Sequence, residues 1–122
     1  MQPLALVFYE RLLPGSQLVN RLQDMNYRVL ALNDAARIAA TVQRESPLLV
    51  FVDLAAPGDV CGAIATLHSD PETAHVPVVG FAPEDSPELL AAAQAAGARL
   101  AVNEVVVLNH LSQIIEQALQ VD

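Results

Sequence analysis

The chain has 122 residues, 53% of them hydrophobic, which is enough to fill the core of one domain and leaves no room for a second. Its 14 acidic residues outnumber its six basic residues, so the formal net charge is -8, which repels nucleic-acid phosphates and anionic membrane surfaces. We therefore expect one domain over residues 1–122 that binds no nucleic acid by itself.

The first apolar run, in the sequence LALVFYERLL, stops after a few residues at Tyr9-Glu10-Arg11. It lacks the basic leader and the length of a signal peptide or a membrane span, so we expect a cytoplasmic protein without a membrane partner. The single cysteine, Cys61, excludes an internal disulfide bond and any metal site built from several cysteines.

Five short apolar runs, each bounded by residues that favour turns, predict β-strands. A segment with apolar residues at helical spacing follows each run, and these segments predict five helices. In chain order, the predicted strands cover residues 4–8, 27–32, 48–53, 76–81 and 99–103, and the predicted helices cover residues 16–25, 35–44, 60–68, 87–96 and 106–119.

Continuous apolar runs are typical of strands that are buried on both faces, as in a parallel sheet covered by helices. The alternation of strands and helices, joined by right-handed crossovers, predicts an α/β fold of the flavodoxin-like (βα)5 type. In this fold a five-stranded parallel sheet, in the order 2-1-3-4-5, forms the middle layer of a three-layer sandwich.

Asp53 ends the third predicted strand, in the run LLVFVDLAAPG, just before a turn through Pro57 and Gly58. Ligands of open α/β sheets bind at the carboxyl ends of the strands, which makes Asp53 the first candidate for a functional residue. The alternative is a polar residue that caps the turn and meets water. For an isolated Asp the two interpretations carry similar weight.

Two motifs favour the functional interpretation. The turn Asp53-Leu54-Ala55-Ala56-Pro57 and the Ala-Gly-Ala at residues 96–98, within five βα units, resemble the response-regulator receiver domain, also called CheY-like, over almost the whole chain. The resemblance implies that Asp53 is the position that takes a phosphoryl group from a histidine kinase. It also implies an acid pair after the first strand that holds Mg²⁺, a Ser or Thr after the fourth strand, and a Lys after the fifth.

The implied acid pair is incomplete in this chain. It falls on Phe8-Tyr9 or on Tyr9-Glu10, according to the register of the comparison, so Tyr9 replaces one acid in either case. Glu10 and Asp53 remain as candidate ligands of Mg²⁺. Because the ion prefers carboxylates together with water and phosphate oxygens, we expect weak binding or none, and no resident cofactor.

The two implied partners of the phosphoryl group are also changed. The hydroxyl position reads Ala82, and the lysine position reads Glu104 in a chain that contains no lysine at all. A carboxylate there would repel a phosphoryl group by about 4 kcal/mol, for unit charges ~4 Å apart at an effective dielectric constant of ~20. These changes are typical of a degenerate receiver, or pseudo-receiver.

Other candidate sites are weaker. No two histidines have the i, i+4 spacing of a metal-binding helix, and Cys61 is expected to be a small buried helix residue. The chain has no GxGxxG or GxxxxGK motif, which argues against nucleotide enzymes of similar architecture. We expect no enzyme activity.

The last predicted helix carries a wide apolar arc that includes Val107 and Ile114. Such width is typical of a helix that is buried on two sides, either within the core or at an interface, and the two interpretations carry equal weight. In the second, the last two strands and helices form a contact surface for a homodimer or for a partner protein.

The leading hypothesis is a receiver-like domain of the two-component type that signals through contacts with a protein partner, which is a sensor kinase, an effector or a second copy, with little or no Mg²⁺-dependent phosphotransfer. An alternative is a working but atypical response regulator that a histidine kinase phosphorylates on Asp53. A third hypothesis, of another class, is a small α/β ligand-binding domain or enzyme.

Overall fold

The computed structural model describes residues 2–120. Within this range no helix combines the length and the apolar character that crossing a lipid bilayer requires. A short 3₁₀ turn, Ala35–Arg37, precedes the second helix. The strands are β1 (Leu4–Phe8), β2 (Arg28–Leu32), β3 (Leu49–Asp53), β4 (Val78–Ala82) and β5 (Leu100–Asn103), and the helices are α1 (Leu12–Asp24), α2 (Ile38–Glu45), α3 (Val60–Ser69), α4 (Pro87–Ala96), α5 (Glu104–Asn109) and α6 (Leu111–Leu119).

The strands form one parallel sheet in the order β2-β1-β3-β4-β5, which confirms the predicted order. β3 lies at the centre, between β1 and β4, and all five of its residues are buried. Its side chains alternate between the two faces, so that Phe51 packs on one side and Val52 on the other. Burial on both faces explains why β3 has no polar residue before Asp53.

Helices cover both faces of the sheet and complete the three predicted layers. On one face α1, α5 and α6 bury residues such as Leu18 and Ile115 against the sheet. On the other face α2, α3 and α4 bury residues such as Ile38 and Ile64. Because the strands are parallel, all five end at the same edge of the sheet. The loops at that edge lead into the packed helices, which hold them in place.

Three helices differ from their predicted bounds by more than one residue, and one of them, α2, begins at Ile38 rather than at residue 35 because the 3₁₀ turn precedes it. α1 begins at Leu12 rather than at residue 16, although Leu13 has an extended conformation (φ -106°, ψ 125°) that separates a first turn from the rest of the helix. The predicted last helix is divided into α5 and α6 at His110, which has φ -132° and ψ 38°. α5 also begins earlier than predicted, because the Asn103 side chain accepts a hydrogen bond from Val106 N (2.9 Å) and caps the helix.

Val107 and Ile114 lie in the core, with exposed fractions of 1% and 5%. Together they belong to a buried stripe at helical spacing that runs through both helices and faces the sheet: Val107, Leu111, Ile114, Ile115 and Ala118. The prediction of an interface through these two side chains is therefore corrected, since they stabilise the chain's own fold. The exposed apolar residue in this part of the chain is Val105, at 42%.

Replacing Ile114 with alanine should lower the free energy of unfolding by about 2–5 kcal/mol, because the substitution leaves a cavity in the core. Val105→Ala is the matched control in the neighbouring helix. It removes methyl groups from an exposed position and should change the free energy by less than about 0.5 kcal/mol. Urea unfolding followed by circular dichroism measures both variants. Equal losses would show that Ile114 is not a core residue.

Candidate functional site

Asp53 is the last residue of β3, at the centre of the edge where the strands end, and its side chain is fully buried. Its Oδ1 accepts a hydrogen bond from Ala55 N (3.1 Å) in the following turn. This is the turn-capping contact that the simpler interpretation of Asp53 predicts. A buried carboxylate also needs a cation or further hydrogen bonds, because burial removes its hydration.

Arg11, in the turn between β1 and α1, supplies that cation. Its Nε donates to both oxygens of Asp53, at 3.2 Å to Oδ1 and 3.1 Å to Oδ2, and its Nη2 donates to Oδ1 at 2.8 Å. Two guanidinium nitrogens thus engage one carboxylate, an arrangement in which arginine–carboxylate pairs are strong and geometrically specific. The Arg11 side chain is 30% exposed and that of Asp53 is 0% exposed, so the pair meets solvent only on the arginine side.

Glu104, the first residue of α5, binds the same guanidinium. Arg11 Nη2 donates to Glu104 Oε2 at 2.8 Å, so one arginine joins the β1–α1 turn, the end of β3 and the start of α5. The hydrogen bond to Asp53 is the main cause that raises the pKa of Arg11, and Glu104 raises it further, while partial burial opposes both. These three residues, Arg11, Asp53 and Glu104, are called the arginine clamp below.

The other residues predicted for this site lie around the clamp. The ring of Tyr9 packs against Gly15, where any side chain would overlap it. Ala82 ends β4, is fully buried and has no hydrogen-bonding group in its side chain. Glu10 is exposed and lines a groove of about 780 Å³ beside the loops after β2 and β3. The hydrogen bonds of Asp53 go to Arg11 and to Ala55 N.

The resemblance implies a Mg²⁺ ion beside Asp53, and the residues found there do not fit one. Mg²⁺ demands near-octahedral oxygen ligands, usually one or two carboxylates together with waters. Here both oxygens of Asp53 and one of Glu104 accept hydrogen bonds from a guanidinium, whose positive charge lies between the two acids. In the part of the chain that the structure describes, no three His, Cys, Asp or Glu side chains are grouped as metal ligands.

Arg11 is not among the residues predicted for this site, although the sequence contains a signal for it. Arg11 lies just beyond the positions where the resemblance implies the acid pair, and Glu104 stands where it implies a lysine. A cation in the loop after the first strand and an acid after the fifth attract each other when the two loops meet. From the sequence alone, Glu104 predicts repulsion of a phosphoryl group. Its contact with Arg11 is seen only in the three-dimensional structure.

Solved structures share this fold, although no protein-family model and no curated protein matches the sequence. A candidate response regulator from Chloroflexus aurantiacus J-10-fl superposes with a TM-score of 0.89 at 16% identity, over 98% of each chain. The receiver domain of a sensor histidine kinase from Pseudomonas aeruginosa PAO1 gives a TM-score of 0.84 at 15% identity, again over 98% of each chain. The chain has the receiver-domain fold.

A chemotaxis response regulator of Vibrio cholerae shares the receiver fold as well, with a TM-score of 0.79 at 18% identity over 93% of this chain and 99% of that one. These likenesses confirm the predicted fold class. The arginine clamp lies at the end of the third strand of the receiver fold, where the resemblance places the phosphoacceptor. Its function has to be argued from the clamp's own residues.

Arg11→Met should lower the free energy of unfolding by about 3 kcal/mol, because it leaves the buried Asp53 carboxylate without its cation. Arg11→Met combined with Asp53→Asn should regain most of this loss, since the amide carries no charge to compensate. Arg44→Met is the control, because Arg44 forms an exposed ion pair with Glu45 and should cost less than about 1 kcal/mol. Chemical denaturation measures all three, and similar losses for Arg11→Met and Arg44→Met would contradict the clamp.

Proposed function

We propose that this receiver-fold domain is a two-component-type signalling module that acts through protein contacts, with little or no Mg²⁺-dependent phosphotransfer. One observation carries the proposal: the guanidinium of Arg11 binds both oxygens of the buried Asp53. The same side chain that the resemblance implies as phosphoacceptor is thus engaged by the protein itself. The module needs no resident cofactor to neutralise it.

The chemistry of phosphoryl transfer supports this proposal. A carboxylate that attacks phosphorus must offer a free lone pair, and metal ions and donors must neutralise the charge that spreads over the phosphoryl oxygens. Both oxygens of Asp53 accept hydrogen bonds from Arg11, which makes them weaker nucleophiles, and the side chain of Ala82 has no donor for a phosphoryl oxygen. The clamp joins two carboxylates to one guanidinium, so it keeps a net negative charge that repels an anionic phosphodonor.

A comparison with the Pseudomonas aeruginosa structure supports the same view. That receiver domain has a magnesium ion coordinated in its active-site cleft. In this chain a covalently attached cation, Arg11, lies against Asp53 and Glu104. The positive charge of Arg11 neutralises the carboxylates as a metal ion would. A guanidinium, however, provides no open coordination site for a phosphoryl oxygen.

A second candidate function is a working, atypical receiver that is phosphorylated on Asp53. It is favoured by the retained Asp53 at the end of β3 and by the 30% exposure of the Arg11 side chain, which gives the guanidinium a route into solvent. In that case Arg11 would release Asp53 and then bind the phosphoryl group in place of the missing lysine.

Treatment with acetyl phosphate and Mg²⁺, followed by intact mass measurement, separates the two candidates. The wild type should show no stable gain of a phosphoryl group, for the electrostatic reasons above. Asp53→Asn is the negative control. A variant with Tyr9→Asp, Arg11→Ala, Ala82→Thr and Glu104→Lys restores the implied chemistry and should gain the phosphoryl mass. A gain in the wild type that Asp53→Asn abolishes would refute the proposed function.

Titration with Mg²⁺, followed by the amide shifts of residues near Asp53, tests the metal separately. We expect no saturation up to millimolar Mg²⁺, because the ion must compete with the guanidinium for the same oxygens. Arg11→Ala combined with Tyr9→Asp frees Asp53 and adds a second acid, and should bind Mg²⁺ more tightly. Saturation of the wild type well below the millimolar range would show that Asp53 and Glu10 suffice.

A further inference from the structure

The amino edge of the sheet, opposite the arginine clamp, carries a groove of about 550 Å³. This amino-edge groove crosses the starts of all five strands, from Arg28 in β2 to Arg99 just before β5. Its middle is apolar, because it is lined by residues at or just before the starts of β1, β3 and β4: Pro3, Leu4, Pro47, Leu48 and Pro77. Leu48, beside the central strand, is 41% exposed.

Two arginines stand at the ends of the amino-edge groove. Arg28 N donates to Pro3 O and Arg99 N donates to Val78 O, each at 2.8 Å, so hydrogen bonds to the neighbouring strands fix both backbone positions. The strand order β2-β1-β3-β4-β5 places four inter-strand steps between them. Since neighbouring strands lie about 4.8 Å apart, the two arginines are separated by about 19 Å across the sheet.

Both arginine side chains are exposed, and no ion pair found among residues 2–120 includes either of them. Arg99 Nη1 donates to Gln120 O at 3.0 Å, which leaves the other N–H groups of the guanidinium for a ligand. Glu45 also lines the groove, but its carboxylate is paired with Arg44. The charge that the groove presents to a ligand is therefore positive, in a chain whose formal net charge is -8.

We infer that the amino-edge groove binds an extended segment of a partner protein, with an acidic residue near each end and apolar residues between. Two acids six residues apart in an extended chain are separated by about 20 Å, which matches the spacing of the arginines. The apolar residues between them cover Leu48. A helix 19 Å long and 10 Å wide would occupy about 1,500 Å³, almost three times the volume of the groove.

This inference goes beyond the proposed function, because the groove lies at the edge opposite Asp53 and uses no residue of the arginine clamp. A second copy of this chain is a poor occupant. Each copy has a formal net charge of -8, so long-range repulsion opposes their association. A short acidic segment of another protein carries less charge, and places it next to the two arginines.

A fluorescently labelled peptide of seven residues, with blocked termini, glutamate at positions 1 and 7, and valine and proline between them, is the probe. Fluorescence anisotropy should show saturable binding to the wild-type domain that weakens as salt is added. A matched peptide with lysine in place of both glutamates should bind at least about tenfold more weakly. A peptide with the two glutamates adjacent at its centre reaches one arginine only, and should lose about two- to fivefold.

Arg28→Met and Arg99→Met should each weaken binding about two- to fivefold, as expected for the loss of an exposed ion pair, and their effects should multiply in the double variant. Arg37→Met is the matched control, because it removes the same charge from an exposed residue at the carboxyl edge. Leu48→Ser should also weaken binding, whereas Leu12→Ser, at a residue that is 72% exposed outside the groove, should not. Circular dichroism checks that each variant is folded.

Absence of binding by the glutamate peptide would overturn the inference, and so would equal losses from Arg37→Met and Arg28→Met. Binding that occurs only after removal of residues 121–122 would identify the chain's own last residues as the occupant instead. Self-association of the wild type in sedimentation that Arg28→Met with Arg99→Met abolishes would identify a second copy. None of these measurements depends on Asp53, so failure of this inference is distinguishable from failure of the proposed function.

Discussion

The ion pair between Arg11 and Asp53 is the constraint on which the carboxyl edge of this domain depends. A carboxylate with no solvent exposure loses its hydration, and the cost reaches several kcal/mol unless a counter-charge with good geometry replaces the water. In a chain without lysine, arginine is the side chain that provides a cation throughout the physiological pH range. The receiver fold makes the pairing geometrically simple, because β1 and β3 are adjacent and their following turns meet at one edge.

Glu104 extends this pair into a bridge across the sheet. Glu104 lies at the start of α5, the helix that follows β5 at the far side of the sheet. The guanidinium therefore connects segments that are far apart in sequence. The bridge fixes the turn in which α1 begins and the helix to which Val105 belongs. The same contacts therefore set the electrostatics of the site and hold the start of α1 near the start of α5.

Much of this architecture could be predicted from the sequence, because a buried parallel strand requires a continuous apolar run. β1 and β3 show this most clearly, and the position of Asp53 follows from the end of its run. The helix bounds were harder to predict, since the break at His110 depends on backbone angles that hydrophobic spacing does not encode. The apolar arc of residues 106–119 was compatible with either a core or an interface position for Val107 and Ile114, and only the packing of α5 and α6 on the sheet decides for the core.

Some residues of the site could likewise be predicted from the sequence and others could not. Asp53, Ala82 and Glu104 could be located by position along the chain, whereas the role of Arg11 depends on which loops the sheet brings together. A charge pair between residues 11 and 104 has no local pattern in the sequence, and only the topology makes the two loops neighbours.

Under the proposed function, the arginine clamp also affects how long a signal lasts. An acyl phosphate on an aspartate hydrolyses, so a phosphorylated receiver carries an internal clock that ends its signal. A guanidinium bound to a carboxylate has no comparable decay, and it cannot be removed by a chelator or a phosphatase. Under the proposed function, a domain whose central aspartate is neutralised in this way keeps no memory of past stimulation. Its output would follow the present concentration of the partner that binds it, and would respond as quickly as that partner associates and dissociates.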